Sequence, residues 1–484
     1  MVTDINALLL SILPEIGLVI LIFLVLVLDM AWSRKRQGNL GMFVFAGLLV
    51  IMAISLVFVR FPEEGVLTWG GMLRMDGTNF VFRLLALAGG AITVLFAMDD
   101  EKLGKRGEFY LLLLVSILGM SLMASAADLI MLYLAIETTS IPLYVLAGFF
   151  VNEPKSVEAG IKYMLFGAMS SAVMLFGFTW LFGFSGTTQL YELSARLTEG
   201  VIPLAAVGTA TVLVLVGFAF KISAAPLHFW APDIYEGSPT PVAGFLSTAS
   251  KAAGFAVLMR VMLVVFPEFS NFWSVLLAVV ASLSMVVGNY LALTQKNIKR
   301  LLAYSSIAQA GYILIGVAAH NSLGISGTIY YLMAYLVTNL AAFGIVSVVG
   351  KTVGSDEIAS YAGLSRRSPK LALAMLVAIL SLGGIPPFAG FFGKLLVFTS
   401  AIQSRMVWLA FVGIANAVVG LYYYLNVLKV IYLYRSEDEE KSMPVLRNSR
   451  VALIICVIGI FLLGIIMAPW FNGASSAALS LINF

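Results

Sequence analysis

Apolar residues run in long blocks along this chain, separated by short polar segments that hold most of its charge. A block that crosses a bilayer as an α-helix needs about 20 residues, because the hydrocarbon core is about 30 Å thick. Blocks of this length predict helices over 9–31, 38–60, 76–97, 108–126, 128–150, 156–184 and 204–226. The second half adds 240–266, 273–293, 299–319, 322–350, 370–400, 406–434 and 450–471. The pattern therefore predicts an all-α polytopic membrane protein of about fourteen transmembrane helices, with its tightest break at Ala126–Asp128.

Two of the blocks carry breaks at prolines. In VGFAFKISAAPLHFW, Lys221 lies five residues before Pro226. In LSLGGIPPFAGFFGKLLVF, Lys394 lies seven or eight residues after Pro387 and Pro386. Proline removes an intrahelical hydrogen bond and clashes with the preceding turn, so each block is expected to be a broken helix. Freed backbone at membrane depth must line protein or water. The lysine precedes one break and follows the other, the order that two inverted five-helix repeats would produce. Those repeats are expected over 108–266 and 273–434, within one membrane domain 1–484. Residues 1–107 supply three leading helices and 450–484 a last one.

Composition removes the alternatives to a membrane domain. Hydrophobic residues make up 61% of the chain, charged residues 11%, and the mean hydropathy is +1.00. A soluble domain carries roughly 25% charged residues, so no large water-soluble part is expected. The net charge of +4 does not indicate nucleic acid, because the basic residues sit mostly in short loops between apolar blocks. Counted in alternate loops, eighteen Lys and Arg fall on one side, Arg34, Lys35, Arg36 and Lys441 among them. Only Arg60, Arg74, Arg196 and Arg405 fall on the other. The positive-inside rule places the basic side in the cytoplasm and both termini opposite. The basic cluster follows the first block instead of preceding it, so that block is expected to be a retained helix and not a cleaved signal.

Redox and metal chemistry find no ligands here. Cys456, the single cysteine, lies in VALIICVIGIFLLGIIM, which excludes an internal disulfide or a cysteine-held cluster. Two histidines, His228 and His320, are too few for an expected haem or metal site, and no glycine-rich phosphate loop follows a strand. No cofactor is expected in this chain.

The charges inside the blocks carry the chemistry. Arg83, Arg260 and Lys429 lie within about two turns of a predicted helix end, and their long side chains are expected to snorkel to the interface. Lys162, Lys221, Lys251 and Lys394 lie deeper, and Glu137 is the one acid read as well inside a helix. At about 2.5–3.5 kcal/mol each, these five would together cost on the order of 12–18 kcal/mol unless paired or hydrated. One salt bridge with Glu137 leaves three lysines unexplained, so a proton or ion pathway is expected. A free lysine titrates too high to exchange protons easily, but burial and the approach of a carboxylate move it in opposite directions. Moving a charge across about 150 mV takes roughly 3.5 kcal/mol, which a swing of about 2.5 pKa units supplies. Tyr304, Ser305, Ser306 and Gln309 fit either water-holding or interhelical hydrogen bonding. His228, just beyond the first break, is expected to act as a relay, whereas His320 fits an interfacial residue or an exit-side relay equally.

The segments LHFWAPDIYEGSPTPVAGFLSTASK and GIPPFAGFFGK resemble the two signatures of the antiporter-like membrane subunits of respiratory complex I and of Mrp-type cation/proton antiporters. The resemblance covers most of the chain. Within this group the helix number, the lysine at Lys394 and an expected lack of a lateral-helix extension are most similar to the subunit N type. The resemblance implies that Glu137 pairs with Lys221, that Lys251 connects the two halves, and that Lys394 faces the outer half-channel. It implies that Lys162 matches a further lysine of subunit N-like chains. It also implies NADH, FMN, iron–sulfur clusters and quinone in partner subunits, contact with other membrane and peripheral subunits, and a cell (inner) membrane location. A sodium/proton antiporter subunit is the second expectation, and an inert scaffold with buried salt bridges the third.

Overall fold

A computed structural model describes residues 5–32, 37–59, 65–200, 202–436 and 442–482. Of the loop charges counted above, Arg34, Lys35, Arg36, Arg60 and Lys441 lie outside the described residues.

Among the described residues, thirteen helices are long and apolar enough to cross a membrane. The first six are α1 (Leu13–Ala31), α2 (Leu40–Phe58), α3 (Gly77–Met98), α4 (Gly107–Ser125), α5 (Leu129–Ala147) and α6 (Pro154–Ser185). A short amphipathic helix α7 (Leu190–Thr198) precedes α8 (Leu204–Lys221) and α9 (Trp230–Gly237). Then follow α10 (Thr240–Val265), α11 (Ser270–Ala292), α12 (Ile298–Ala319) and α13 (Ser322–Val353). The chain ends with α14 (Pro369–Gly383), α15 (Ala389–Gln403), α16 (Val407–Leu433), α17 (Arg447–Ile465) and α18 (Met467–Ile482). The pair α14 and α15, each too short to span alone, forms one broken crossing, which accounts for the fourteenth helix.

The tight break expected at Ala126–Asp128 is real. Asp128 caps α5 by accepting from the Ile130 and Met131 amides at 2.8 and 3.2 Å, so a turn of three residues suffices. Two boundaries and one helix interior differ from what the sequence predicts. The first broken helix stops at Lys221, well before Pro226, and resumes as α9, a polar half-helix too short to register as a crossing. The block 240–266 is one helix, but it is widened by two π-type turns at Leu246–Ser250 and Val261–Val265. The last block kinks at Ile466, three residues before Pro469, and continues to Ile482 instead of ending near 471. A small antiparallel hairpin, β1 (Val66–Thr68) and β2 (Leu73–Met75) with Val66 opposite Met75, precedes α3 and had no counterpart in the sequence reading.

Burial separates core helices from lipid-facing ones. In α10 and α12, 94% of the apolar window is buried, against 28% in α1 and 33% in α2 and α16. Lipid tails are as apolar as leucine, so exposed side chains such as Phe23, Ile141 and Phe411 are in their proper solvent. Close packing therefore falls to small residues. A Cβ on Gly311 of α12 would sit 2.7 Å from the Ala281 carbonyl of α11, and one on Gly288 would sit 2.6 Å from the Ala308 amide.

Arg83 and Arg260 correct a reading of the sequence. Neither snorkels. Arg83 is fully buried against Glu15 at 2.9 Å, and Glu15 also accepts from Ser121 at 2.5 Å. Arg260 is 1% exposed, reaches Asp76 with two bonds of 2.7 and 3.0 Å, and donates to the Ala124 carbonyl at 2.8 Å. The ends of these helices are covered by protein and not by water, so their charges pair inside. Lys429 does behave as expected, exposed and over the Tyr434 ring at 5.5 Å.

Candidate functional site

The first broken helix places Lys221 in the interior. Downstream of it Ser223 takes a positive φ of 59° and Pro226 has no amide to donate, so the helix cannot continue. The exposed backbone is satisfied locally: the Ala224 amide donates to the Ala219 carbonyl at 2.8 Å, the Ala225 amide to Ser284 Oγ at 2.8 Å, and the Trp230 indole to the Phe220 carbonyl at 3.2 Å. The Lys221 ammonium donates to Ser140 Oγ on α5. Glu137 is one turn earlier on the same helix, half-buried, with Oε1 buried and without a hydrogen-bond partner. Among the described residues Glu137 forms no ion pair within 4.0 Å. Glu137 and Lys221 are thus brought together, but the ammonium rests on Ser140. A cavity of about 10 Å³ adjoins it, lined by Ser140, Tyr144, Ser170, Ser171 and Lys221. That is close to the space one water needs.

Lys251 follows the π-type turn Leu246–Ser250 on α10 and is 2% exposed. Its ammonium donates to the Ser306 carbonyl at 3.0 Å and to Ser306 Oγ at 2.7 Å. Tyr335 donates to the same hydroxyl at 2.7 Å, and Asn339 ties Tyr335 to Ser247 with bonds of 3.0 and 2.7 Å. Toward Lys221, Gly254 packs on the lysine stem, where its absent Cβ would lie 3.4 Å from Lys221 Cγ. Ser223 Oγ and the Tyr235 hydroxyl are buried there without a hydrogen-bond partner, a polar gap suited to ordered water.

Lys394 sits one turn into α15, just after the second break. The end of α14 leaves the Leu382 and Gly383 carbonyls free, and the ammonium takes both at 2.9 and 3.0 Å. A cation at the C-terminal end of a half-helix is favoured by the aligned peptide dipoles. The Tyr312 ring lies 4.8 Å away. Gln309 donates to the same Leu382 carbonyl at 3.0 Å and to Tyr424 at 3.3 Å, accepts from Tyr331 at 2.5 Å, and Tyr424 bonds Ser305. Ser305 is next to Ser306, which holds Lys251. The interior charges Glu137, Lys221, Lys251 and Lys394 thus follow one polar axis made of bonded clusters. These are Lys221 with Ser140, Lys251 with Ser306 and Tyr335, and Lys394 with the Leu382 carbonyl that Gln309 shares, with the unbonded Tyr235 hydroxyl between the first two.

The surroundings of this axis match a known family. Residues 126–420, which contain Glu137, Lys221, Lys251 and Lys394, match the NADH:quinone oxidoreductase/Mrp antiporter transmembrane family. The NADH-quinone oxidoreductase subunit N of Moorella thermoacetica is 44% identical over 438 residues, covering 90% of this chain and 91% of that protein. The chain belongs to the subunit N family. A chain in the structure of respiratory complex I from Thermus thermophilus with bound aureothin superposes with a TM-score of 0.81 at 33% identity, over 96% of this chain and 100% of that one. A chain of the Mrp complex from Dietzia sp. superposes with a TM-score of 0.85 over 98% of each chain, but at 20% identity it shares the fold alone.

Two residues expected on the pathway of this subunit N-type chain lie off the axis. Lys162 is held at 2.6 Å by both Asp233 and Glu158, with 35% of its side chain exposed. Arg300 also binds Asp233 and Glu236 at 2.8 and 3.0 Å, which makes a charged cluster at one end of the bundle. His228 faces the Pro226 carbonyl at 3.2 Å on the outer surface of the break and touches none of the four interior charges. His320 caps α12 with φ of 40° and packs edge-on to Trp273. Ser305, Ser306 and Gln309 make interhelical bonds, whereas Tyr304 has none among the described side-chain hydrogen bonds. Ser140, Tyr235, Tyr331, Tyr335, Asn339 and Tyr424 were missed by the sequence reading. For three of them a signal exists: Tyr331, Tyr335 and Asn339 follow at intervals of four along α13, a polar stripe on one helix face.

Proposed function

We propose that this chain is a proton-translocating membrane subunit of a complex I-type NADH-quinone oxidoreductase. The observation that carries the reading is the set of three interior ammonium groups, Lys221, Lys251 and Lys394, each held by hydroxyls or carbonyls and none by a carboxylate within 4.0 Å. An inert buried lysine would be paired, since an unpaired charge is expensive inside a membrane. Held by neutral acceptors, each lysine can lose its proton without stranding a carboxylate, and the serine, tyrosine and glutamine groups between them can carry protons through intervening water. Lys221 exchanging between Ser140 and Glu137 supplies the switch.

Electron transfer then belongs to partner subunits, which hold NADH, FMN, iron–sulfur clusters and quinone. The chain sits in the cell membrane with its basic loops in the cytoplasm and both termini outside. His228 serves as a relay at the contact with a neighbouring subunit, and Lys162 with its acidic partners collects protons at the cytoplasmic end. Two inverted repeats, 108–266 and 273–434, organise the axis: in each group the long third helix, α6 or α13, packs on the half-helix that bears the lysine. Lys251→Met or Lys394→Met in the intact complex leaves assembly unchanged and strongly reduces NADH-driven proton transport. Wild-type transport in both variants overturns the reading. Sodium-dependent exchange by a purified complex free of iron–sulfur subunits would instead establish the antiporter alternative.

A further inference from the structure

On the face where most Lys and Arg lie, α14 and α17 part to leave a groove of about 780 Å³. Met443, Pro444 and Val445 line one side of its mouth, tied down by the Met443 amide on the Arg367 carbonyl at 3.3 Å. Lys370 and Arg450 stand at that mouth, and among the described residues no acidic residue lines the groove. Lys370 and Arg450 are exposed, and Arg450 is aimed by a bond from Nη2 to the Val445 carbonyl at 3.0 Å. That bond uses one of its five donors.

Below the basic mouth the lining is wholly apolar, with Leu373 and Val377 on one wall and Ile454, Ile458 and Phe461 on the other. Leu373, Ile454 and Ile458 are each more than half exposed, so the groove opens sideways. From Arg450 to Phe461 the helix rises about 16 Å, close to half of the roughly 30 Å hydrocarbon thickness. The groove is therefore one leaflet deep, with cations at headgroup level and alkyl side chains beneath.

We propose that this groove is a binding site for one anionic phospholipid, its phosphate held by Lys370 and Arg450 and its acyl chains laid between α14 and α17. The inference rests only on the chain being in a membrane and stands apart from the proton pathway. Charge complementarity selects an anionic headgroup, and the matched depth selects a lipid over a free phosphate.

The test uses the intact complex purified in mild detergent and reconstituted in nanodiscs of phosphatidylcholine with phosphatidylglycerol. Phosphatidylglycerol retained after repeated detergent exchange is counted by mass spectrometry. Lys370→Gln with Arg450→Gln is expected to lose about one retained phosphatidylglycerol per copy of the chain, with phosphatidylcholine unchanged. Ile454→Trp with Ile458→Trp, at exposed positions, fills the groove without altering charge and is expected to give the same loss. Equal retention in the charge variant overturns the proposal. So does a loss in the charge variant that the groove-filling variant fails to reproduce, because that marks surface charge alone. Displacement of the lipid by millimolar inorganic phosphate likewise overturns it.

Discussion

Ser140→Ala is the most informative single change, because it removes one oxygen and leaves both titrating groups in place. In the structure the Lys221 ammonium donates to Ser140 Oγ, while the Glu137 carboxylate, one turn away on α5, has a buried oxygen without a partner. The two acceptors compete for one cation. A hydrogen bond from a charged donor contributes about 1.5–3 kcal/mol, so losing the serine favours the Glu137-paired arrangement by roughly 10- to 150-fold. If proton release requires the lysine to leave Glu137, the open arrangement becomes that much rarer. NADH-driven proton uptake by inverted membrane vesicles, followed by fluorescence quenching alongside NADH oxidation, should fall about tenfold or more. Ser140→Thr keeps a hydroxyl and should recover most of the rate. Wild-type coupled transport in Ser140→Ala, with the protein at normal abundance, would refute the switch.

Other consequences follow from the same geometry. Asp76→Asn strands the buried Arg260 and should cost about 3–5 kcal/mol, seen as a lower thermal midpoint or lost assembly; replacing Arg260 by Leu in the same chain should recover part of it. Gly311→Ala puts a methyl 2.7 Å from the Ala281 carbonyl, so the α11–α12 contact should weaken by about 1–3 kcal/mol in detergent unfolding. Lys162→Gln removes partly exposed ion pairs worth about 0–1 kcal/mol and should slow proton transport far less than Lys221→Met. Equal loss in the two variants, measured in the same vesicles, would place Lys162 on the main path. Asn339→Leu breaks the link from Tyr335 to Ser247 and should reduce transport without lowering complex abundance.

Several features were legible along the chain because the bilayer acts on sequence almost one residue at a time. A span needs its length of apolar residues whatever its neighbours do, so among the described residues each predicted crossing has a helix or a pair of half-helices. A charge at membrane depth is costly wherever it points, which singled out Lys221, Lys251, Lys394 and Glu137, and with them Lys162, whose side chain is in fact partly exposed and paired. Proline cannot be hydrogen-bonded through nitrogen, which located both breaks. The rule fails where it assumes that a helix end meets water. Arg83 and Arg260 were judged by distance from an end, but those ends are roofed by Glu15 and by Asp76.

Partners were not legible, because they depend on how helices rotate and cross. Ser140 and Glu137 differ by three positions on α5, so a modest rotation of α8 decides which one holds Lys221. Lys394 bonds two backbone carbonyls that exist as acceptors only because α14 stops at Gly383, and α14 has no fixed place against α15 until α12 and α16 pack around both. The sequence by itself determined a membrane protein with fourteen crossings, two breaks and a small set of interior charges. Only the tertiary structure decided which of those charges share an axis, which lie in a surface cluster, and which neutralise one another. The reason is one of range: desolvation depends on a residue's own depth, whereas a hydrogen bond depends on two distant segments meeting within about 3 Å.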